Sequence, residues 1–267
     1  MNSMRRSIGR VIRAVGIRRR HSHGHAFIDE AETLALSDGW KDPRLPNRQR
    51  RVYDRALDNM RSGNSPRSFQ VAAASTRLSG ISEPSILEIG SGSGYYSEVF
   101  SHMVSAQVSY VGLDYSLAMV SLAKEKYGPS SRFCVGDATR LPFRSGSFDV
   151  AFSGGVLLHV RDFRRAIAET RRVARYWAVF HVIPCVVSSN TSFVKKTAYG
   201  VEVIEVIFNQ GELCSAFEEC GLRVRERYVL EAYPVGLIQE NAYLLTFACE
   251  VVPLAPSATV YRPAKGP

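Results

Sequence analysis

With 267 residues, 45% of them hydrophobic and 22% charged, the chain has the make-up of a globular protein long enough to bury one substantial core. Its net charge of +9 is local: seven arginines and no acid precede Ile28, so the basic residues beyond that point nearly balance the 25 acids. That balance excludes a general nucleic-acid-binding surface, and no stretch approaches the roughly 18 uncharged apolar residues of a membrane-spanning helix.

Residues 1–28 form a basic amphipathic segment. At the helical repeat Met4, Ile8, Val11, Ile12 and Val15 fall within about 100° of one another, with Arg5, Arg6, Arg10 and Arg13 on the other side. Three readings fit: peripheral contact with an anionic membrane surface through residues 4–18, an organelle-targeting peptide, or a plain solvated terminus. His21, His23 and His25 have no companion ligands nearby and are read as incidental, so no metal site is expected. Residues 29–83 read as a helical preface, with helices over 48–60 and 68–78 around the breaker Ser62-Gly63-Asn64-Ser65-Pro66. The stripe Val52, Ala56, Leu57 suits either packing on the domain or covering a cleft.

From Ser85 the pattern changes to strands alternating with helices. Ser85-Ile86-Leu87-Glu88-Ile89-Gly90 is a buried parallel strand, followed by Ser91-Gly92-Ser93-Gly94 and a helix to about Val104. A glycine-rich turn between strand and helix brings backbone amides close to a ligand. The dinucleotide fingerprint needs a third glycine where Tyr95 stands, so the turn is Gly90-x-Gly92-x-Gly94 instead. A second strand, 108–114, ends in Asp114, where a carboxylate can accept from both ribose hydroxyls of a nucleoside. A helix over 116–127 follows. A third strand, 132–138, carries Asp137 and leads into Thr139-Arg140-Leu141-Pro142-Phe143. A fourth, 147–153, opens with Phe148-Asp149-Val150. Asp149 lies at that strand's start and reads as a structural capping or pairing residue.

In this order, the four motifs resemble those of class I S-adenosylmethionine-dependent methyltransferases of the small-molecule, type 11/25-like group. The resemblance covers about 85–251. It implies an α/β fold: a doubly wound, seven-stranded, mostly parallel sheet preceded by the helical extension. The domain should span 84–252, with a flexible tail over 253–267. It further implies S-adenosyl-L-methionine as cofactor. Glu88, Gly90, Gly92 and Gly94 should lie under its methionine part, Asp114 at the ribose, and Asp137 with Ala138 at the adenine. Ser153 stands where the family contacts the amino group.

Downstream, a helix over 162–174 and a strand over 176–182 are expected, but the family's proline-glycine-glycine turn before that strand is replaced by Arg172-Val173-Ala174-Arg175. The stretch 192–208 is insertion-like and extended, with a turn at Tyr199-Gly200. A helix over 210–220 and strands over 222–231 and 243–251 complete the fold. Cys134, Cys185, Cys214, Cys220 and Cys249 show no paired spacing and are read as reduced thiols in a cytoplasmic protein.

The acceptor is read as a small molecule, a glycan or a lipid-linked compound, methylated at a hydroxyl. His159, in Leu157-Leu158-His159-Val160, is the candidate base or else a residue that shapes the pocket. His181 on an apolar strand reads as a core residue, and Tyr199 as a pocket candidate. Two other classes fit the same motifs: a catalytically silent cofactor-binding scaffold and an NAD-dependent oxidoreductase, the latter opposed by Tyr95 and Asp137.

Overall fold

The computed structural model describes residues 25–36, 38–128 and 131–253. The expected amphipathic segment, apart from residues 25–28, lies outside them, as do the tail beyond Pro253 and the membrane contact expected of residues 4–18. Among the described residues no helix is long and apolar enough to cross a membrane.

The N-terminal part comprises β1 (Ala26–Phe27), α1 (Glu30–Ala35), a 3-10 turn (Gly39–Lys41), α2 (Leu45–Arg61) and α3 (Arg67–Arg77). The α/β part follows with β2 (Ser85–Ile89), α4 (Tyr95–Met103), β3 (Ser109–Asp114), α5 (Leu117–Tyr127), β4 (Phe133–Val135) and β5 (Phe148–Gly154). A second 3-10 turn (Leu157–His159), α6 (Phe163–Val173), β6 (Ala174–Val186), β7 (Ser192–Ala198) and β8 (Val201–Asn209) come next. The chain then forms α7 (Gln210–Glu219), β9 (Leu222–Val235) and β10 (Glu240–Val251).

The expected seven strands lie in the order β4-β3-β2-β5-β6-β10-β9, parallel through β6 and antiparallel at β10 and β9. The structure adds three strands. β8 runs parallel to the end of β6 through Cys185↔Phe208 and Val186↔Asn209, β7 pairs antiparallel with β8, and β1 with β7. The strand expected over 132–138 is shorter than its apolar pattern suggested, because β4 pairs only with β3 over Phe133–Val135 and Asp137 bridges back to Arg140. β6, expected over 176–182, instead runs through Val186, since β10 pairs with its far end and β8 joins it there.

The central strands read as apolar runs because both faces are covered. Leu87, Ile89, Ala178 and Phe180 pack against Ile167 of α6 and Phe217 of α7. Ile86, Val150, Phe152 and Val179 pack against Leu57 of α2, Phe69 of α3 and Phe100 of α4. Asp149 is structural: one carboxylate oxygen accepts from the Ser85 N–H and hydroxyl at 2.9 and 2.7 Å, and the other pairs with Arg175 at 3.0 Å. All five cysteines are free thiols.

At the cavity end of β6, His181 and Val182 face one partner position, Thr246, in a β-bulge. Val182 has φ 64°, a left-handed conformation that a β-branched residue adopts only under strain. His181 is fully buried with Nδ1 2.7 Å from the Thr246 hydroxyl, and burial holds its imidazole down at about 3. The unfolded chain takes up this proton near 6.5, so the neutral imidazole contributes stability in full above about pH 6.5. That stability is lost as pH falls toward about 3, at about 1.4 kcal/mol per unit. Urea unfolding between pH 7 and pH 4 should show a steeper loss for the wild type than for His181→Gln. Parallel profiles would sink this assignment.

Candidate active site

The carboxyl ends of the parallel strands open onto a cavity of about 890 Å³, a size typical of small-molecule sites. Its first half is built by the sheet. After β2 the chain doubles back at Gly90, and the N–H groups of Gly90 and Ser91 both donate to the Leu113 carbonyl, at 2.6 and 2.9 Å. Asp114, at the end of β3, accepts from the Gly92 N–H on one oxygen and the Ser116 N–H on the other, each at 2.8 Å. Turn and carboxylate thus hold each other in place. Burial pushes the Asp114 carboxyl up, opposed by the backbone N–H groups of Ser116, Gly92 and Tyr115. Asp137 lies in the turn after β4, its Oδ1 accepting from the Thr139 N–H and hydroxyl at 2.7 and 2.8 Å.

Leu113, Met119, Ala138 and Leu158 give this half an apolar wall. The lining fits a nucleoside carrying a sulfonium: a carboxylate tied to a glycine turn, a second acid, and apolar side chains for a base. Of the residues expected at the site, the cavity brings together Gly90, Gly92, Asp114, Asp137, Ala138 and His159. Three stand apart from its lining. The Glu88 carboxyl accepts from the Tyr110 hydroxyl and is pushed well up by burial. Gly94 begins α4 against Phe133. Ser153 is buried inside β5, and its neighbour Gly154 reaches the cavity instead.

The second half comes from elsewhere in the chain: Trp40, Tyr53 of α2, Arg67, Val182 of β6, Lys196 of β7 and Leu244 of β10. His159 sits where the halves meet. Its Nδ1 is 2.6 Å from the Ile204 carbonyl and its ring 4.7 Å from that of Trp40. A carbonyl only accepts, so Nδ1 carries the proton and Nε2 is the basic nitrogen of the neutral ring. Tyr199 also lines the cavity, and the Arg48 guanidinium donates to its carbonyl. Gln49, next in α2, accepts from the Ser93 N–H at 2.9 Å. One helix thereby fastens the β7–β8 hairpin to the glycine turn.

Trp40, Gln49, Tyr53, Tyr96 and Lys196 in the cavity lining, and Glu205, which pairs with Lys196, were not foreseen in the sequence. One signal was available: Glu205 stands inside Val203-Ile204-Glu205-Val206-Ile207, an acid in an otherwise apolar strand. It is 0% exposed, pairs with Lys196, and has the Tyr233 hydroxyl at 3.5 Å. Among the described residues no cluster of three or more histidines, cysteines or acids is placed to hold a metal.

Residues 87–180 match the family model of the methyltransferase domain. A demethylmenaquinone methyltransferase of Renibacterium salmoninarum is 36% identical over 90 residues, which cover 34% of this chain and 36% of that protein. The chain therefore spans about a third of that relative's length in the match. Among solved structures, the 1,6-didemethyltoxoflavin N1-methyltransferase of Burkholderia thailandensis superposes with a TM-score of 0.57 at 14% identity, over 86% of this chain and 95% of that one. Magnesium protoporphyrin IX methyltransferase of Synechocystis PCC 6803 gives 0.53 at 16% identity, over 83% and 98%. At these identities the two structures establish the fold.

Proposed function

We propose that the chain, whose residues 87–180 match the methyltransferase-domain model, is a class I S-adenosylmethionine-dependent enzyme that transfers the cofactor's methyl group to a small-molecule acceptor, at a hydroxyl. The observation that carries this reading is the buried Asp114 carboxylate tied to the Gly92 amide at the floor of an 890 Å³ cavity. When bound, the cofactor supplies an electrophilic methyl on a sulfonium. The protein's own task is to hold a nucleophile in line with it, with water kept out. On this reading Asp114 accepts from the ribose hydroxyls and Asp137 from the adenine amine, while the turn at Gly90 and Gly92 carries the methionine part.

His159 is suited to take the acceptor's proton, since its bond to the Ile204 carbonyl presents Nε2 as the base. The relatives reported above are named for demethylmenaquinone, a toxoflavin precursor and a magnesium porphyrin. Those names favour a small ring compound over the glycan or lipid-linked acceptors that the sequence left open.

Calorimetry with S-adenosylhomocysteine, and NAD as control, tests the reading. Micromolar binding of the former alone is expected, and Asp114→Ala should weaken it by about 1–3 kcal/mol through lost hydrogen bonds. Binding of NAD, or unaltered affinity in the variant, would overturn the assignment. Against a hydroxyl acceptor, His159→Ala should lower turnover by about 10²–10⁴-fold while cofactor affinity holds. Full turnover in the variant would remove His159 as the base.

A further inference from the structure

Three tyrosines meet at the seam between the two halves of the cavity, and all three line it: Tyr53 of α2 with Tyr95 and Tyr96 at the start of α4. Tyr95 occupies the position where a dinucleotide fingerprint would have its third glycine. The Tyr53 and Tyr95 rings stack with centroids 3.6 Å apart and 8° between planes, and Tyr96 lies 4.5 Å from Tyr95. Phe69 lies 5.9 Å from Tyr95 and 5.7 Å from Tyr96. Tyr95 and Tyr96 are almost wholly buried, at 6% and 2% exposure. Their hydroxyls are nevertheless not stranded among apolar groups. Those of Tyr53 and Tyr95, and of Tyr95 and Tyr96, lie close enough to interact. Burying two adjacent phenols, with a third half-buried against them, is costly unless their hydroxyls are put to use.

Granted methyl transfer, on which this rests, we propose that the hydroxyls of Tyr53, Tyr95 and Tyr96 form the binding site for a neutral, ring-borne oxygen of the acceptor. A phenol or carbonyl oxygen accepts up to two hydrogen bonds, and a phenol also donates one, so three convergent hydroxyls can satisfy it. Burial pushes the Tyr95 and Tyr96 phenols well up, so both remain donors throughout the physiological range. Around these hydroxyls lie aromatic and apolar side chains, Phe69 among them, where an ionised carboxylate is costly to bury. A carboxylate-bearing acceptor is therefore a poorer match than a neutral hydroxyarene or quinone. The flat face of the Tyr53–Tyr95 stack sets the ring of such an acceptor against aromatic carbon, where offset or edge packing adds to binding. The stack also places that ring beside the glycine turn from which α4 starts.

The full chain saturated with S-adenosylhomocysteine should be titrated with 1-naphthol by fluorescence, against 1-naphthoate and 1-methylnaphthalene as matched competitors. The naphthol is expected to bind about tenfold more tightly than either, the difference one or two hydrogen bonds make. Replacing all three tyrosines by phenylalanine keeps the rings and should erase that preference, leaving S-adenosylhomocysteine affinity within about twofold. Equal binding of the three probes by the wild type, or no binding of the naphthol, overturns the proposal without any variant. A preference that survives in the phenylalanine variant also overturns it. So does a variant that loses S-adenosylhomocysteine, because the hydroxyls would then serve the cofactor. A wild type that does not bind S-adenosylhomocysteine at all overturns the methyl-transfer reading itself.

Discussion

Replacing Lys196 with methionine is expected to lower the stability of the folded chain by about 3–5 kcal/mol, the usual cost of removing one member of a buried ion pair. Lys196 has a side chain 16% exposed, and Glu205, its partner, is 0% exposed. The two lie diagonally across the β7–β8 hairpin, where Lys196 pairs in register with Val203 and Val194 with Glu205. Around them are Val194, Ile207, Tyr233 and Leu244, which pack the hairpin onto the overhanging ends of β9 and β10. Methionine keeps the length of the lysine stem and removes only the charge, so lost packing contributes little. The carboxylate left behind has the Tyr233 hydroxyl at 3.5 Å and apolar side chains around it. The double variant Lys196→Met/Glu205→Leu removes both charges and should recover most of the loss, because apolar groups of similar volume can replace a buried pair. Urea unfolding of the wild type and both variants gives the comparison. A single variant as stable as the wild type, or a double variant no better than the single, would mean that the pair is not sealed from water.

The part of the site that was legible in the sequence is the part the sheet dictates. A buried parallel strand must be apolar on both faces, and it must end where the chain leaves the sheet. Ile89 before Gly90 and Leu113 before Asp114 therefore mark strand ends by composition alone, whereas β5 runs past Phe152 to Gly154. Side chains just beyond those ends face a ligand crevice in any open α/β sheet, which is why Asp114 and Asp137 could be placed. Glu88 could not be placed so well. It lies inside the strand, and which face it takes depends on Tyr110 in the neighbouring strand, a contact across 22 residues.

The second half of the cavity was largely illegible for the same physical reason. Trp40, Tyr53, Lys196 and Leu244 come from segments far apart in sequence, and they meet only because β8 joins the end of β6 and α2 bridges hairpin and turn. The matched domain, 87–180, stops short of nearly all of them. The glycine turn, Asp114 and Asp137 lie inside the match and the other half outside it. On the proposed function, this division leaves acceptor choice to the segments outside the matched domain. The strained Val182 marks the boundary, on the bulge where β6 leaves the common sheet and continues toward the hairpin.

Gly90→Ala should be nearly as damaging as the loss of Lys196, by a different route. Gly90 has φ 74°, where an alanine costs about 1–2 kcal/mol in backbone conformation. A methyl group there would lie 1.9 Å from Val156 Cγ2 and 3.1 Å from its Cβ. Val156 cannot readily swing away, because a β-branched side chain is confined at χ1, and relieving such overpacking costs a further ~1–3 kcal/mol. Since the Gly90 N–H is bonded to the Leu113 carbonyl, next to Asp114, the displaced turn should pull on the Asp114 carboxylate as well. Destabilisation and weaker S-adenosylhomocysteine binding are thus expected together. Gly92→Ala provides the contrast, because its methyl group would meet the end of the Gln49 side chain at 2.5 Å, a flexible group that can move. It should be milder in thermal unfolding despite its φ of 52°. Adding Val156→Ala to Gly90→Ala should recover the steric part of the loss and not the conformational part. If the second change restores nothing, the clash is not what makes glycine necessary at this turn.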